Sequence, residues 1–208
     1  AGTTNDFSKN LGLPRGVENA AATAAAGVPR PCDMGRFNER TFVYVAAFGI
    51  FTDVSYGTPQ HFKSAFGHLA YVLEGATKLG DLGRSHHLKA VYDGGELEGD
   101  FLYGMVTNTS SVGGFKIFPP SQISLNDGVF EVVLIRQPRS LADFQETLLA
   151  LARQSTGASG RVEAFHTSRL TITAQDPIPW TLDGEYGGAP ETAKIENLHK
   201  ALTLVWGK

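Results

Sequence analysis

The sequence has a single cysteine, Cys32, so the chain can form no internal disulfide, and a reducing compartment is the simpler expectation. It has no excess of basic residues. The formal net charge is -3 over 208 residues, which gives no electrostatic case for a nucleic-acid partner. Its longest apolar run, from 42 to 51, is about half the length of a membrane-spanning helix and fits a buried strand. No basic segment ahead of an apolar stretch indicates a signal peptide.

Several catalytic motifs are missing as well. There is no HExxH and no paired Cys/His spacing, and the adjacent His86 and His87 would face opposite sides of a strand, which argues against a zinc site. There is no GxSxG elbow, so a nucleophilic hydrolase has little support. Hydrophobic residues at 42% and charged residues at 19% are typical of an ordinary folded protein with a substantial core.

The chain starts with helical patterns. Capping residue types followed by Phe7 and Leu11 predict a helix N-terminus within 3–12, and the alanine-rich stretch 17–27 predicts a second helix that stops at a glycine.

The rest of the chain is rich in strand signals. From about residue 36, β-branched and aromatic residues recur between frequent turn dipeptides, which predicts a mainly antiparallel body. Apolar residues at helical spacing predict two amphipathic helices, one within 59–82 and one within 141–151. The predicted fold class is therefore α+β: an antiparallel β-sandwich-like domain with two helices, after a short helical lead-in.

Three Asp-Gly pairs begin at Asp93, Asp127 and Asp183, and each is most simply a turn, because Asp-Gly is a preferred hairpin dipeptide. The third pair is followed by Glu185. In an extended segment, residues i and i+2 point to the same face, so Asp183 and Glu185 are predicted to converge. Two close carboxylates suit general-base chemistry or magnesium binding.

Two further segments have both a simple and a chemical interpretation. Asp127 lies in "SQISLNDGVF", where one carboxylate and neighbouring carbonyls could form a site for a hard cation, or only a turn. The opening "GTTNDF" has a glycine, hydroxyls and a helix start, which form either a phosphate cradle or a plain N-cap.

Four segments, in order along the whole chain, resemble motifs of bacterial diacylglycerol kinases and related lipid kinases, relatives of sphingosine and ceramide kinases. The segments are "GTTNDFSKNLGLP", "CDMGRFNERTFVYVAAFGIFTDVSY", "FLYGMVTNTSSVGGFKIFPPSQISLNDGVFEVVLI" and "LDGE". In that family a Rossmann-like nucleotide domain carries a "GGDGT" loop just before the first motif, and this sequence lacks that loop. The resemblance implies that the chain is the C-terminal part of a lipid kinase. Residues 1–35 would be a helical remnant of the nucleotide domain and 36–208 the lipid-substrate domain.

The resemblance also implies roles for individual residues. Glu185 would be the general base that takes the proton from the lipid hydroxyl, and Asp183 would hold a metal or orient that base. The residues expected at the ATP edge are Thr3, Asn5, Asp6, Lys9 and Asp33, and those expected to hold a structural Mg²⁺ are Asp127 with the carbonyls of Ser124 and Val129. Lys9 stands where the family has arginine, so the two-pronged phosphate contact of a guanidinium is lost there.

The expected activity is ATP-dependent phosphorylation of a lipid hydroxyl such as that of diacylglycerol, although the chain alone is expected neither to bind ATP tightly nor to turn it over. A cytoplasmic protein with transient contact to a membrane surface is expected, and a homodimer is left open. The main alternative is a non-enzymatic lipid- or protein-binding β-sandwich whose "DGE" is only a turn. A NAD-kinase-like enzyme is a more remote alternative.

Overall fold

The computed structural model describes residues 6–14, 16–49, 84–109, 111–112, 118–152 and 160–207. The helix predicted within 59–82 lies outside these residues. In the described part of the chain the helices are α1 Asp6–Asn10, α2 Val17–Ala26 and α3 Leu141–Ala152, with a 3-10 turn at Pro120–Gln122. The strands are β1 Val28–Phe37, β2 Arg40–Phe42, β3 Val45–Gly49, β4 His86–Tyr92, β5 Gly95–Thr107, β6 Phe130–Arg136, β7 Val162–Thr167, β8 Arg169–Ala174, β9 Trp180–Leu182, β10 Glu185–Gly188 and β11 Thr192–Trp206.

The described strands form one antiparallel sheet that curls into a nearly closed sandwich. Their order is β10-β9-β3-β5-β4-β8-β11-β1-β2, and β6 and β7 extend from β5. In β8 the side chains alternate between the two faces of the sheet: Leu170 and Ile172 are buried, whereas Thr173 is exposed. One face of this strand therefore packs on the core. The predicted fold class, mainly β with α, is confirmed.

Apolar side chains pack on both faces of the sheet. The inner core includes Phe48, Phe101 and Trp180, contributed by strands from different parts of the order. A second core covers the opposite face of β5 and β6, where Phe144 and Leu151 of α3 pack against the sheet. The helix predicted within 141–151 is therefore confirmed as α3, and one of its faces packs against the sheet.

The first helix is joined to the sheet rather than separate from it. Leu11 packs with Cys32 of β1 and Leu125, and Phe7 and Trp206 lie against this cluster. β1 pairs with β11 from Val28 to Phe37, so the strand crosses the predicted domain boundary between residues 35 and 36. Residues 28–35 are consequently part of the sheet, although the assignment of the two domains stays a prediction.

The two ends of the sheet order meet at one place, which we call the seam and define as residues 40–45 and 183–186. β2 ends the order on one side and β10 on the other, and no ladder joins them. A side chain connects them instead: Nη1 of Arg40 donates to the carbonyl of Tyr186 at 2.6 Å. The seam also contains the predicted catalytic carboxylates.

No helix in the described part of the chain is long and apolar enough to cross a bilayer.

Candidate active site

The Asp183-Gly184 pair forms the two-residue turn between β9 and β10. Both residues have positive φ, 52° at Asp183 and 91° at Gly184, and Leu182 pairs with Glu185 across the turn. Such a turn matches the twist of a hairpin, and aspartate and glycine are residues that adopt it readily. The segment is thus not extended, and the prediction that an extended backbone brings the two carboxylates to one point is wrong.

The carboxylate of Asp183 is engaged by the backbone on the other side of the seam. It accepts hydrogen bonds from the N–H groups of Val43 at 2.8 Å and of Tyr44 and Val45 at 2.9 Å each. The N–H of Asp183 donates to the carbonyl of Val45 at 2.8 Å. Hydrogen bonds to an ionised acceptor are stronger than neutral ones, so this side chain ties the turn to the start of β3.

Glu185 is the first residue of β10 and is exposed. Among the described residues its side chain makes no hydrogen bond or ion pair. A solvent-facing carboxylate without a partner can accept a proton from an approaching hydroxyl group. The two acids therefore differ in their surroundings: Asp183 holds the turn, and Glu185 is exposed to solvent.

Tyr44 connects the seam to the first helix. Its ring lies 6.0 Å from the ring of Phe7 in α1, measured between centroids. Its hydroxyl donates to the carbonyl of Ser111 at 3.3 Å, and its own carbonyl accepts from Oγ1 of Thr107 at 2.8 Å. The turn that carries Glu185 and the helix expected at the nucleotide edge therefore both contact one tyrosine.

The predicted nucleotide contacts are only partly described by the structure. Asp6 is the first residue of α1, and Lys9 is exposed on that helix. The predictions for Thr3, Asn5 and the side chain of Asp6 lie outside the described residues.

Asp33, which the resemblance assigns to the cofactor-binding residues, lies within β1. Its side chain is fully buried. One oxygen accepts from the N–H of Gly128 at 2.6 Å, and the other accepts from the N–H of Lys200 at 2.7 Å and lies 3.1 Å from Nδ1 of His199. Both oxygens are engaged inside the protein, so Asp33 holds the 124–129 loop against β11. The predicted part of Asp33 in cofactor binding stays a prediction.

The loop predicted to hold a cation offers hard oxygen ligands. Asp127 is exposed, and its Oδ1 accepts from the N–H of Val129 at 3.2 Å. Within the described residues, no hydrogen bond engages the carbonyl oxygens of Ser124 or Val129. The set fits Mg²⁺ or Ca²⁺, which prefer carboxylate and carbonyl oxygens. No group of three His, Cys, Asp or Glu residues that could hold a metal occurs in the described ranges, so any such site depends on backbone oxygens.

Two buried residues near this loop were missed by the sequence analysis. Asn108 donates from Nδ2 to the carbonyls of Asp33 and Leu125, at 3.3 Å each, while its Oδ1 has no hydrogen-bond partner. Glu131 is fully buried in β6, and burial, with the charge of Asp127 adding to it, raises the pKa of Glu131 to about 8. The available signal was an acid placed inside the otherwise apolar strand "FEVVLI".

Comparisons with known proteins identify the family of this chain. Residues 46–206 match the family described as YegS C-terminal NAD kinase beta sandwich-like domain. Over all 208 residues the chain is 34% identical to a diacylglycerol kinase of Bacillus subtilis (strain 168), covering 67% of that protein. Over 187 residues it is 30% identical to a diacylglycerol kinase of Staphylococcus aureus (strain bovine RF122 / ET3-1), covering 58% of that one.

Solved structures share the fold. A crystal structure of a diacylglycerol kinase from Bacillus anthracis str. Sterne aligns over 99% of this chain with a TM-score of 0.67 at 18% identity. Another solved chain from the same organism aligns over 99% with a TM-score of 0.77 at 21% identity. This chain covers 64% and 67% of those two chains, so the similar proteins carry a further part of about a third of their length.

Proposed function

The chain belongs to the family of bacterial diacylglycerol kinase-like lipid kinases, and we propose that it forms the acceptor side of phosphoryl transfer from ATP to a lipid hydroxyl. The observation that carries this proposal is the set of hydrogen bonds from residues 43–45 to Asp183. These bonds place the turn that carries Glu185 beside Tyr44 and hence near α1. Phosphoryl transfer depends mainly on such positioning of the acceptor relative to the nucleotide.

Glu185 is the proposed general base. Its carboxylate takes the proton from the lipid hydroxyl, and the freed oxygen forms the new bond to phosphorus as the bond to the leaving ADP oxygen breaks. Bound ATP would supply the phosphoryl group, and Lys9 on α1 is the described residue proposed to face its phosphates. Asp183 acts as a positioning residue, because it holds the turn on which Glu185 stands.

The acceptor is proposed to be a membrane lipid, with diacylglycerol as the first candidate, so the protein would work from the cytoplasm by transient contact with a membrane surface. The test is an assay of labelled ATP with a panel of lipid acceptors, using a protein that extends this chain by the part its relatives carry. Labelled diacylglycerol phosphate would support the proposal. Label transferred to NAD would indicate the NAD-kinase alternative, and transfer to no acceptor would favour a binding module.

A structural Mg²⁺ is proposed at the loop formed by residues 124–129. Asp127 would supply the carboxylate, and Ser124 and Val129 their backbone carbonyls. The ion would fix the loop whose Gly128 N–H is held by Asp33, and it has no assigned part in the transfer step.

We expect added MgCl₂ to raise the melting temperature of the chain, because a ligand that binds only the folded state stabilises it by about 2.7 kcal/mol at a hundredfold excess over its dissociation constant. Asp127→Asn should abolish the increment, since it keeps the shape of the side chain but removes its charge. Differential scanning calorimetry with and without MgCl₂ measures the effect.

Asp93→Asn is the control, at another Asp-Gly turn. Oδ2 of Asp93 accepts from the N–H and the hydroxyl of Ser168, at 2.7 Å each, so this variant should start from a lower melting temperature yet keep the full magnesium increment. The same bonds lower the pKa of Asp93. The stability that Asp93 gives to the folded state is therefore present at neutral pH, and it is lost only as the pH falls through the folded-state pKa of Asp93. Equal increments in both variants would remove Asp127 from the site.

A further inference from the structure

The strand that carries Glu185, β10, is held only weakly by the sheet. It has four residues, lies at one end of the strand order and pairs, within the described ranges, only with the three-residue β9. Gly184 and Gly188 on either side of it have positive φ, 91° and 101°, and the register with β9 shifts between Tyr186 and Gly188. Glycines and interrupted ladders both leave a backbone more freedom. The hairpin alone therefore fixes the direction of the Glu185 side chain poorly.

Arg40 holds this strand from across the seam. Its Nη1 donates to the carbonyl of Tyr186, the residue directly after Glu185, at 2.6 Å. A hydrogen bond from a charged donor is stronger than a neutral one. Asp183 is tied to residues 43–45 two positions before Glu185. The proposed general base thus stands between two contacts that come from the same side of the seam.

The backbone of Arg40 is anchored in the core. β2 pairs with β1, and Phe37, which faces Arg40 in that ladder, is 1% exposed. Phe42, two residues after Arg40, is equally buried and stacks on Phe130 with ring centroids 5.6 Å apart. Arg40 therefore transmits the position of a well-packed strand to the less constrained β10.

The side chain of Arg40 is engaged by this one contact. It is exposed, and no carboxylate in the described part of the chain forms an ion pair with it. Arg36 on the neighbouring β1, by contrast, pairs with Glu196. The carbonyl of Tyr186 is thus the place where the guanidinium of Arg40 acts in the folded chain.

We infer that Arg40 is a second positioning residue for Glu185: it fixes the strand after the base, while Asp183 fixes the turn before it. This inference rests on the proposed function, in which Glu185 takes the proton of the lipid hydroxyl. A general base acts only within hydrogen-bond reach of that proton. A displacement of about 1 Å, caused by a change outside the reacting groups, can cost about 100-fold in rate.

The competing explanation is that Arg40 only closes the sheet and adds stability. Both explanations allow a small fall in the urea midpoint of Arg40→Met, which keeps the aliphatic stem and removes the donors. Only the positioning role predicts a loss in kcat that depends on Glu185. If Arg40 acts through Glu185, its removal should cost nothing further once the base is already absent.

The experiment measures kcat and KM for labelled ATP with diacylglycerol vesicles, using a protein that extends this chain by the part its relatives carry. The variants are Arg40→Met, Arg40→Lys, Glu185→Gln and the double variant Arg40→Met/Glu185→Gln. We expect Arg40→Met to lower kcat by about 10- to 100-fold with the KM for ATP unchanged. Arg40→Lys keeps a charged donor and should lie between Arg40→Met and the wild type. Arg36→Met, which removes an exposed arginine from β1, is the matched control and should keep full turnover.

A double variant as active as Glu185→Gln alone would support the inference. A double variant in which the two single losses multiply, or a kcat of Arg40→Met within about twofold of the control, would overturn it and leave Glu185 as the proposed base. Normal turnover by Glu185→Gln would overturn the proposed base and this inference together. Should Arg40→Met not fold, Arg40→Lys decides: a lowered kcat at unchanged KM that disappears in the Glu185→Gln background supports the role, and a loss that persists there overturns it.

Discussion

Glu185→Gln is expected to lower turnover by about 100- to 10,000-fold, the usual cost of removing a general base. The assay uses a protein that carries this chain together with the further part found in its relatives, with diacylglycerol vesicles and labelled ATP. Glutamine keeps the size of the side chain but cannot take up the proton of the lipid hydroxyl. The loss should therefore lie in kcat, with the KM for ATP little changed.

The same variant should fold as well as the wild type. Glu185 is exposed and makes no hydrogen bond or ion pair within the described ranges, so the free energy of unfolding should change by no more than about 0.5 kcal/mol. Glu39→Gln, at an exposed position in the turn between β1 and β2, is the matched control and should retain full turnover. Near-normal turnover by Glu185→Gln would mean that "DGE" serves only as a turn.

Asp33→Ala is expected to destabilise the chain by about 3–5 kcal/mol, because it removes a buried carboxylate that accepts charge-assisted hydrogen bonds from the N–H groups of Gly128 and Lys200. A loss of this size is a large part of the stability of a typical domain. Urea denaturation followed by tryptophan fluorescence measures it.

Asp176→Ala provides the comparison. Asp176 pairs with Arg84 at 3.3 Å, and its side chain is 73% exposed, so removing it should have little effect on the free energy of unfolding. Similar losses for Asp33→Ala and Asp176→Ala would show that Asp33 does not hold the 124–129 loop. Asp33→Asn should lie between the wild type and Asp33→Ala, since it keeps one of the two acceptor oxygens.

Much of the fold could be predicted from local patterns. The alternation in β8 and the apolar spacing within α3 reflect which face of each element is buried, and burial leaves a periodic signal in the sequence. Asp-Gly dipeptides predict turns because few other residues adopt positive φ easily, and the turn at Asp183-Gly184 is of that kind.

The roles of the aspartates whose carboxylates accept hydrogen bonds from distant backbone could not be predicted in the same way. Asp33, Asp93 and Asp183 each accept hydrogen bonds from segments far away along the chain, and nothing in the adjacent sequence identifies those partners. The assumption of an extended backbone at 183–185 failed because the turn conformation of Asp-Gly overrode the strand pattern on either side. Glu131 did leave a signal, since a charged residue in an apolar strand is unusual enough to mark a site.

The hydrogen bonds from residues 43–45 to Asp183 also have a thermodynamic consequence. One carboxylate orders both the turn that carries Glu185 and the backbone of Tyr44, whose ring contacts Phe7 of α1. A ligand that orders α1 and Tyr44 therefore also favours the ordered form of the turn, and a lipid that orders the turn favours the nucleotide side by the same factor. Under the proposed function, binding of the two substrates would thereby be linked through a side chain that needs to touch neither of them.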